Sequence, residues 1–99
     1  MTAVRDVEGR QRYELDAGDA CAFIDYRRAG RIVTMTHAEV PAALRGRGIG
    51  SVLVAGALAL VRERGEKVVP LCPFIGHYMR RHPDVHDLLA GDEDTGRGR

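Results

Sequence analysis

The sequence predicts a mixed α/β domain: an antiparallel meander, a strand–helix–strand crossover and a short C-terminal helix. Three observations carry this expectation. Residues 10–40 contain three alternating or β-branched stretches separated by turn residues. Residues 49–64 repeat apolar side chains at helical spacing and stop at Gly65. A short apolar strand over 67–71 leads through Pro73 into a second helical stretch that ends at His82-Pro83. Ninety-nine residues suffice for one domain with one modest core.

In order along the chain, residues 1–9 are polar and read as a flexible start, with the domain proper over 10–90. Residues 10–15 form a first strand with Tyr13 and Leu15 on one face. Asp16-Ala17-Gly18-Asp19 supplies turn residues. In a second strand over 20–27, Ala20, Ala22, Ile24 and Tyr26 alternate with Cys21, Phe23 and Asp25. Arg28-Ala29-Gly30 closes a hairpin into a third strand over 31–40, rich in β-branched residues.

The helix over 49–64 presents Ile49, Val52, Leu53, Gly56, Ala57 and Leu60 on one face, and Val54, Leu58 and Val61 on the other. It is expected to be buried on more than one side or to meet another subunit. Gly56, among alanines, gives it a slim waist for close approach to a sheet. The strand at 67–71 should run parallel to the third, and Pro70 and Pro73 confine it to a short or edge position. Residues 84–90 form a last turn or two. Residues 91–99 have no apolar anchor and read as a disordered tail.

Composition excludes several classes. A formal charge of +1 argues against a dedicated nucleic-acid binder. The longest apolar stretch, over 52–61, is too short to cross a bilayer. Two cysteines, Cys21 and Cys72, cannot make a disulfide framework, so a reducing cytoplasm is the expected compartment. The four histidines and two cysteines show no zinc-like spacing, and no metal is expected. His77, His82 and His86 read as surface or helix-end residues.

The most informative stretch joins the third strand to the long helix: Val40-Pro41-Ala42-Ala43-Leu44-Arg45-Gly46-Arg47-Gly48-Ile49-Gly50. A glycine loop between strand and helix aims free amides and the positive end of the helix dipole at an anion. Gly46, Gly48 and Gly50 let a diphosphate approach, and Arg45 and Arg47 add permanent charge. Spacing alone is equally compatible with a tight turn. The dinucleotide fingerprint and the loop ending in Gly-Lys-Ser/Thr are both absent.

Arg45, Gly48 and Gly50 match Arg/Gln-x-x-Gly-x-Gly/Ala, the pyrophosphate loop of the GNAT superfamily of acetyl-CoA-dependent N-acetyltransferases. The ordered set His37-Ala38-Glu39-Val40-Pro41, Arg45 to Gly50, Pro70-Leu71-Cys72-Pro73-Phe74, Tyr78 and His82-Pro83 resembles the small, single-domain branch of that superfamily. The resemblance spans roughly residues 10–90. It implies a GNAT-like fold, acetyl-CoA as the coenzyme and an amine as acceptor, on a protein or a small molecule.

It also implies splaying of the two parallel strands, with the pantetheine arm in the gap against the backbone of Val40. Cofactor contacts would come from Val40, Arg45, Gly46, Arg47, Gly48, Ile49, Gly50, Cys72, Phe74, Tyr78 and Arg81. Glu39, with His37 two residues before it on the same face, would take the amine proton. Tyr78 would protonate the departing thiolate. Cys72, ahead of Pro73 at a helix start, would either accept the acetyl group in a ping-pong route or simply line the pocket. Larger members carry helices between the first two strands; the short turn at 16–19 implies an open acceptor groove. Two rivals stand beside this reading: a non-catalytic acyl-CoA-binding module, and a nucleic-acid binder using Arg45, Arg47, Arg80 and Arg81. The sequence leaves the oligomeric state open.

Overall fold

The computed structural model describes residues 3–91, so the expected tail lies, beyond Gly91, outside the described residues. Five strands form one sheet in sequence order: β1 (Arg5–Val7), β2 (Arg12–Ala17), β3 (Ala20–Ala29), β4 (Ile32–Glu39) and β5 (Lys67–Pro70). Strands β1 to β4 are antiparallel, and β5 joins β4 in parallel as the edge strand. The crossover helix α1 (Ile49–Glu63) and the shorter α2 (Pro73–Arg81) complete the fold, with a 3-10 segment over Pro83–Leu88.

Tyr13, Leu15, Ala22, Ile24, Tyr26, Val33 and Met35 point inward and are buried with the stripe Leu53, Val54, Ala57, Leu58 and Val61 of α1. Ile75 and Met79 of α2 join the same core. The meander, the parallel crossover and the edge position of a proline-flanked β5 agree with the sequence reading.

Several local expectations need correction. Of the start expected to be flexible, residues 5–9 are built into the fold. Arg5–Val7 pairs with β2, and Glu8–Arg10 forms a 3-10 turn. Its register is held by polar partners, Arg5 with Glu14 and Asp16, and Asp6 with Arg28, which hydrophobic periodicity does not register. Glu14 is buried between its apolar neighbours because Arg5 and Arg10 cover its carboxylate.

The hairpin after β3 turns at Gly30-Arg31, with Gly30 in the left-handed region. The two faces expected for α1 are one broad stripe, and Val52 is exposed. Gly56 makes room for Val4 rather than for the sheet, and a Cβ there would collide with the valine side chain.

Candidate functional site

The site begins with an irregularity in β4. Asp25 faces His37 while Tyr26 faces Met35, so β4 carries one extra residue, Thr36, in a bulge. The Thr36 hydroxyl donates to the Asp25 carbonyl at 3.3 Å. Met35 points into the core, yet His37 and Glu39 share the outer face of the sheet with Asp25 and Phe23. Their side chains meet at 3.3 Å between Nε2 and Oε1, and each is 55% exposed.

The same region is where the parallel strands part. Pairing of β4 with β5 stops at Met35 and Pro70, and the amides of Leu71 and Cys72 both donate to the Met35 carbonyl. Beyond that point residues 36–39 pair with β3 alone. The gap exposes the β4 main chain on the side where α1 begins.

The connection into α1 is more structured than a bare turn. Ala42–Leu44 is a 3-10 segment that buries Leu44, and Gly46 and Gly48 have φ of 83° and 72°. Only glycine adopts that region without strain, which explains both positions. Gly48 is the N-cap of α1, and no side chain caps it. The first intrahelical bond runs from the Val52 amide to the Gly48 carbonyl, so the Ile49, Gly50 and Ser51 amides point outward. Arg45 Nε donates to the Val40 carbonyl at 3.2 Å, tying the arginine across the mouth of the loop.

Gap and helix terminus border one open cavity of about 500 Å³. His37, Ala38, Glu39, Val40, Leu44, Arg45, Gly46, Gly48, Ile49, Gly50, Ser51 and Phe74 line it. The Phe74 ring lies over Gly50, where an added Cβ would stand 2.7 Å from Cζ. A second hollow of about 330 Å³ adjoins along α2, lined by Ser51, Phe74, His77, Tyr78, Arg81 and His82. Ser51 and Phe74 line both.

Tyr78 stacks on His82 with centroids 3.8 Å apart, and His82 Nδ1 hydrogen-bonds the Tyr78 carbonyl at 2.7 Å. Burial raises the Tyr78 phenol above its ordinary pKa, with Asp84 adding to the effect. The hydroxyl therefore stays protonated at neutral pH, as a proton donor must.

Most sequence-selected residues converge, and four do not join the main cavity. Tyr78 and Arg81 belong to the second hollow. Arg47 is exposed on the loop and lines neither hollow. Cys72 caps α2, but its side chain packs into the hydrophobic core and is 7% exposed. Sequence reasoning passed over Ala38, Leu44 and Ser51. The serine's place in the first turn behind Gly48-Ile49-Gly50 was a usable signal, because a residue there presents its amide beside the loop.

Comparison with known proteins now decides the family. A family model described as GCN5-related N-acetyltransferase matches residues 12–88. The chain belongs to that family. Similar curated relatives are the proteins called NATD1 of Gallus gallus and Mus musculus, 43% identical over 63 residues, which are 63% of this chain and 57% of each relative. The human NATD1 protein is likewise 43% identical over 63 residues, covering 56% of its length. The aligned segment thus spans little more than half of these relatives. The solution structure of a GCN5-like protein from Staphylococcus aureus superposes with a TM-score of 0.68 at 23% identity, covering 97% of this chain and 95% of that one. That likeness concerns the fold, the GCN5-related arrangement of meander, crossover helix and closing helix. Among the described residues, no helix of this family member is long and apolar enough to cross a membrane.

Proposed function

We propose that the protein binds acetyl-CoA in the cavity between β4 and α1 and transfers the acetyl group to an amine by direct attack. The observation that supports it is the continuity of that cavity, from the uncapped α1 terminus to the outer-face pair His37 and Glu39. The residues present fit the coenzyme. The Ile49, Gly50 and Ser51 amides, the φ-positive Gly46 and Gly48, and the Arg45 guanidinium suit a diphosphate. The stretch from Ala38 to Val40, which has no β5 partner, offers main-chain groups to pantetheine amides, with the Val40 carbonyl shared with Arg45. Phe74 lines the arm's path, and Arg81, with Arg47 at the loop, is left for the outer phosphate.

Bound acetyl-CoA supplies the activated acyl group. Glu39 Oε1 takes the proton of the incoming ammonium, with His37 Nε2 at 3.3 Å able to relay it. Tyr78 holds its proton for the departing thiol; Phe74 stands between the hollow of Tyr78 and the main cavity, so the phenol must reach past that ring. Cys72 acts as packing beneath the site and not as an acyl carrier.

A binding-only module is the second reading, favoured by the burial of Cys72 and the placement of Tyr78 outside the main cavity. Equilibrium dialysis against acetyl-CoA, followed by free-thiol release on adding an amine, separates the two. Retention with amine-dependent thiol release supports transfer, retention without it supports the module, and no retention overturns both.

A further inference from the structure

The main cavity and the hollow of Tyr78 meet at two residues, Ser51 and Phe74, which line both. Ser51 carries only a short hydroxymethyl group on the first turn of α1, so the bulk of the partition is the Phe74 ring. Phe74 is the second residue of α2, directly after Pro73. Its ring reaches across to α1, where an added Cβ on Gly50 would stand 2.7 Å from Cζ and 3.2 Å from Cε2. The same point lies 3.6 Å from Val40 Cγ2, so ring and valine flank Gly50 together. The missing side chain at Gly50 is what lets the ring tip settle there.

The ring rests on Gly50 without being fixed. It lies outside the apolar core and is 45% exposed, and among the described residues no aromatic ring or cation stacks on it. Tyr78, one turn further along α2, is the opposite case. It packs against the core and stacks on His82, beside the buried Met79 of the same helix. A helical phenylalanine has two open χ1 wells, at about 180° and about −60°, and an exposed side chain exchanges between them within nanoseconds. Of the two aromatic side chains, the one that yields is therefore Phe74.

Resting on the transfer reading above, we propose that Phe74 is a gate between the coenzyme cavity and the hollow of Tyr78. With the ring on Gly50 the two hollows are separate. With χ1 in its other well, the partition between Glu39 and Tyr78 opens, and the passage between Val40 and the first turn of α1 clears for the coenzyme. Occupation of the cavity and access to the Tyr78 hydroxyl are thereby one event, because the coenzyme itself holds the ring aside. Phe74 is a positioning residue that acts through Tyr78 and supplies no reacting group of its own.

The test follows the ring in the full chain by NMR. Phe23 and Phe74 are the two phenylalanines of the sequence, so phenylalanine labelling gives two sets of ring signals, which Phe23→Leu assigns. In the free protein the Phe74 ring should show nuclear Overhauser contacts to the Gly50 α-protons. Saturation with coenzyme A should remove them, shift the Tyr78 ring signals and change the Phe74 rotamer ratio, read from three-bond couplings, at least about tenfold. Gly50→Ala should move the same couplings without coenzyme, because the added methyl takes the place of the ring tip. Position 50 lies in α1 without positive φ, where alanine suits the helix better than glycine, so this variant keeps its fold. Absence of the contacts in the free protein, their persistence in the complex, or parent couplings in Gly50→Ala would each overturn the gate. Failure of coenzyme A to bind removes both proposals. Thiol release from acetyl-CoA on adding an amine, read on the same samples, separates them. Ring displacement without thiol release supports the gate and removes the transfer reading. Thiol release with the ring still on Gly50 overturns the gate and leaves the transfer reading standing.

Discussion

The two ends of α1 are built on opposite principles. At its C-terminus, Arg28 of β3 donates to Glu66 at 2.7 Å and to Asp6 at 3.0 Å, and Arg64 reaches Glu8 at 3.3 Å. The Tyr26 hydroxyl donates to Asp6 and accepts from Arg28, and the Tyr13 hydroxyl lies 3.4 Å from the same guanidinium. Arg62 and Arg64 also complement the negative end of the helix dipole. The Asp6 and Glu66 carboxylates and the Tyr13 and Tyr26 hydroxyls there all find partners within the chain. At the N-terminus the helix is uncapped, two glycines hold positive φ, and the carboxylate of Glu39 has only a histidine beside it. One end spends its polar groups on contacts within the fold, and the other leaves its first helical amides without a side-chain cap. The helix between them is the rigid element that lets the two roles coexist.

The sharpest way to break this contrast is a matched pair of glycine substitutions. Gly48 and Gly18 have φ of 72° and 65°, and nothing lies within 4 Å of an added Cβ at either. Gly48→Val and Gly18→Val should therefore cost similar backbone strain, about 1–2 kcal/mol each. Only Gly48→Val should lower acetyl-CoA affinity, by at least ~100-fold, or about 2.7 kcal/mol by titration calorimetry. Equal affinity in the two folded variants would make the loop a turn and nothing more.

At the other end, Arg28→Met removes the cation that Asp6 and Glu66 share, while their carboxylates remain only 10% and 6% exposed. Urea unfolding should show a loss of about 2 kcal/mol, with the folded fraction binding acetyl-CoA as before. A large affinity loss without a stability loss would mean that the two ends are coupled.

Cys72→Ala tests the core side of the site. Because the thiol is buried among apolar side chains, transfer should fall by less than about tenfold. Collapse of turnover, with loss of an acetylated-protein mass in the parent, would instead make Cys72 the acyl carrier.

The smallest expected effect is a pH dependence of the closed end. Burial first, then the hydrogen bond to Asp6, pushes the Tyr26 phenol up from 10.0 to about 12. Above about pH 10 the unfolded chain releases this proton while the native state keeps it. The resulting stability is thus complete below pH 10 and declines toward pH 12. In Tyr26→Phe the alkaline decline in melting temperature should be shallower, and absorbance at 295 nm should show one late-titrating phenol fewer.

What the sequence determined by itself is largely local or periodic. Alternation marked the inward residues Ala22, Ile24 and Tyr26, and Gly65 marked the end of α1. The glycine loop marked the strand-to-helix connection where Gly46 and Gly48 hold positive φ and α1 starts without a side-chain cap. These features depend on backbone preferences and on side-chain spacing within one element, both readable from neighbours in the chain.

Tertiary structure decided the rest. Whether Thr36 bulges depends on the β3 register, and that single residue determines which face of the sheet receives His37 and Glu39. Strand β1 and the Arg28 hub join residues 6, 8, 13, 26, 28, 64 and 66 through polar contacts that have no periodic signature. The same holds for Cys72, where one sequence position was compatible with a reactive helix cap or a packed core thiol. The approach of α2 to α1 and the sheet placed its side chain in the core. Local energies choose the elements, but register and burial depend on distant partners whose contributions add only once the whole chain is assembled.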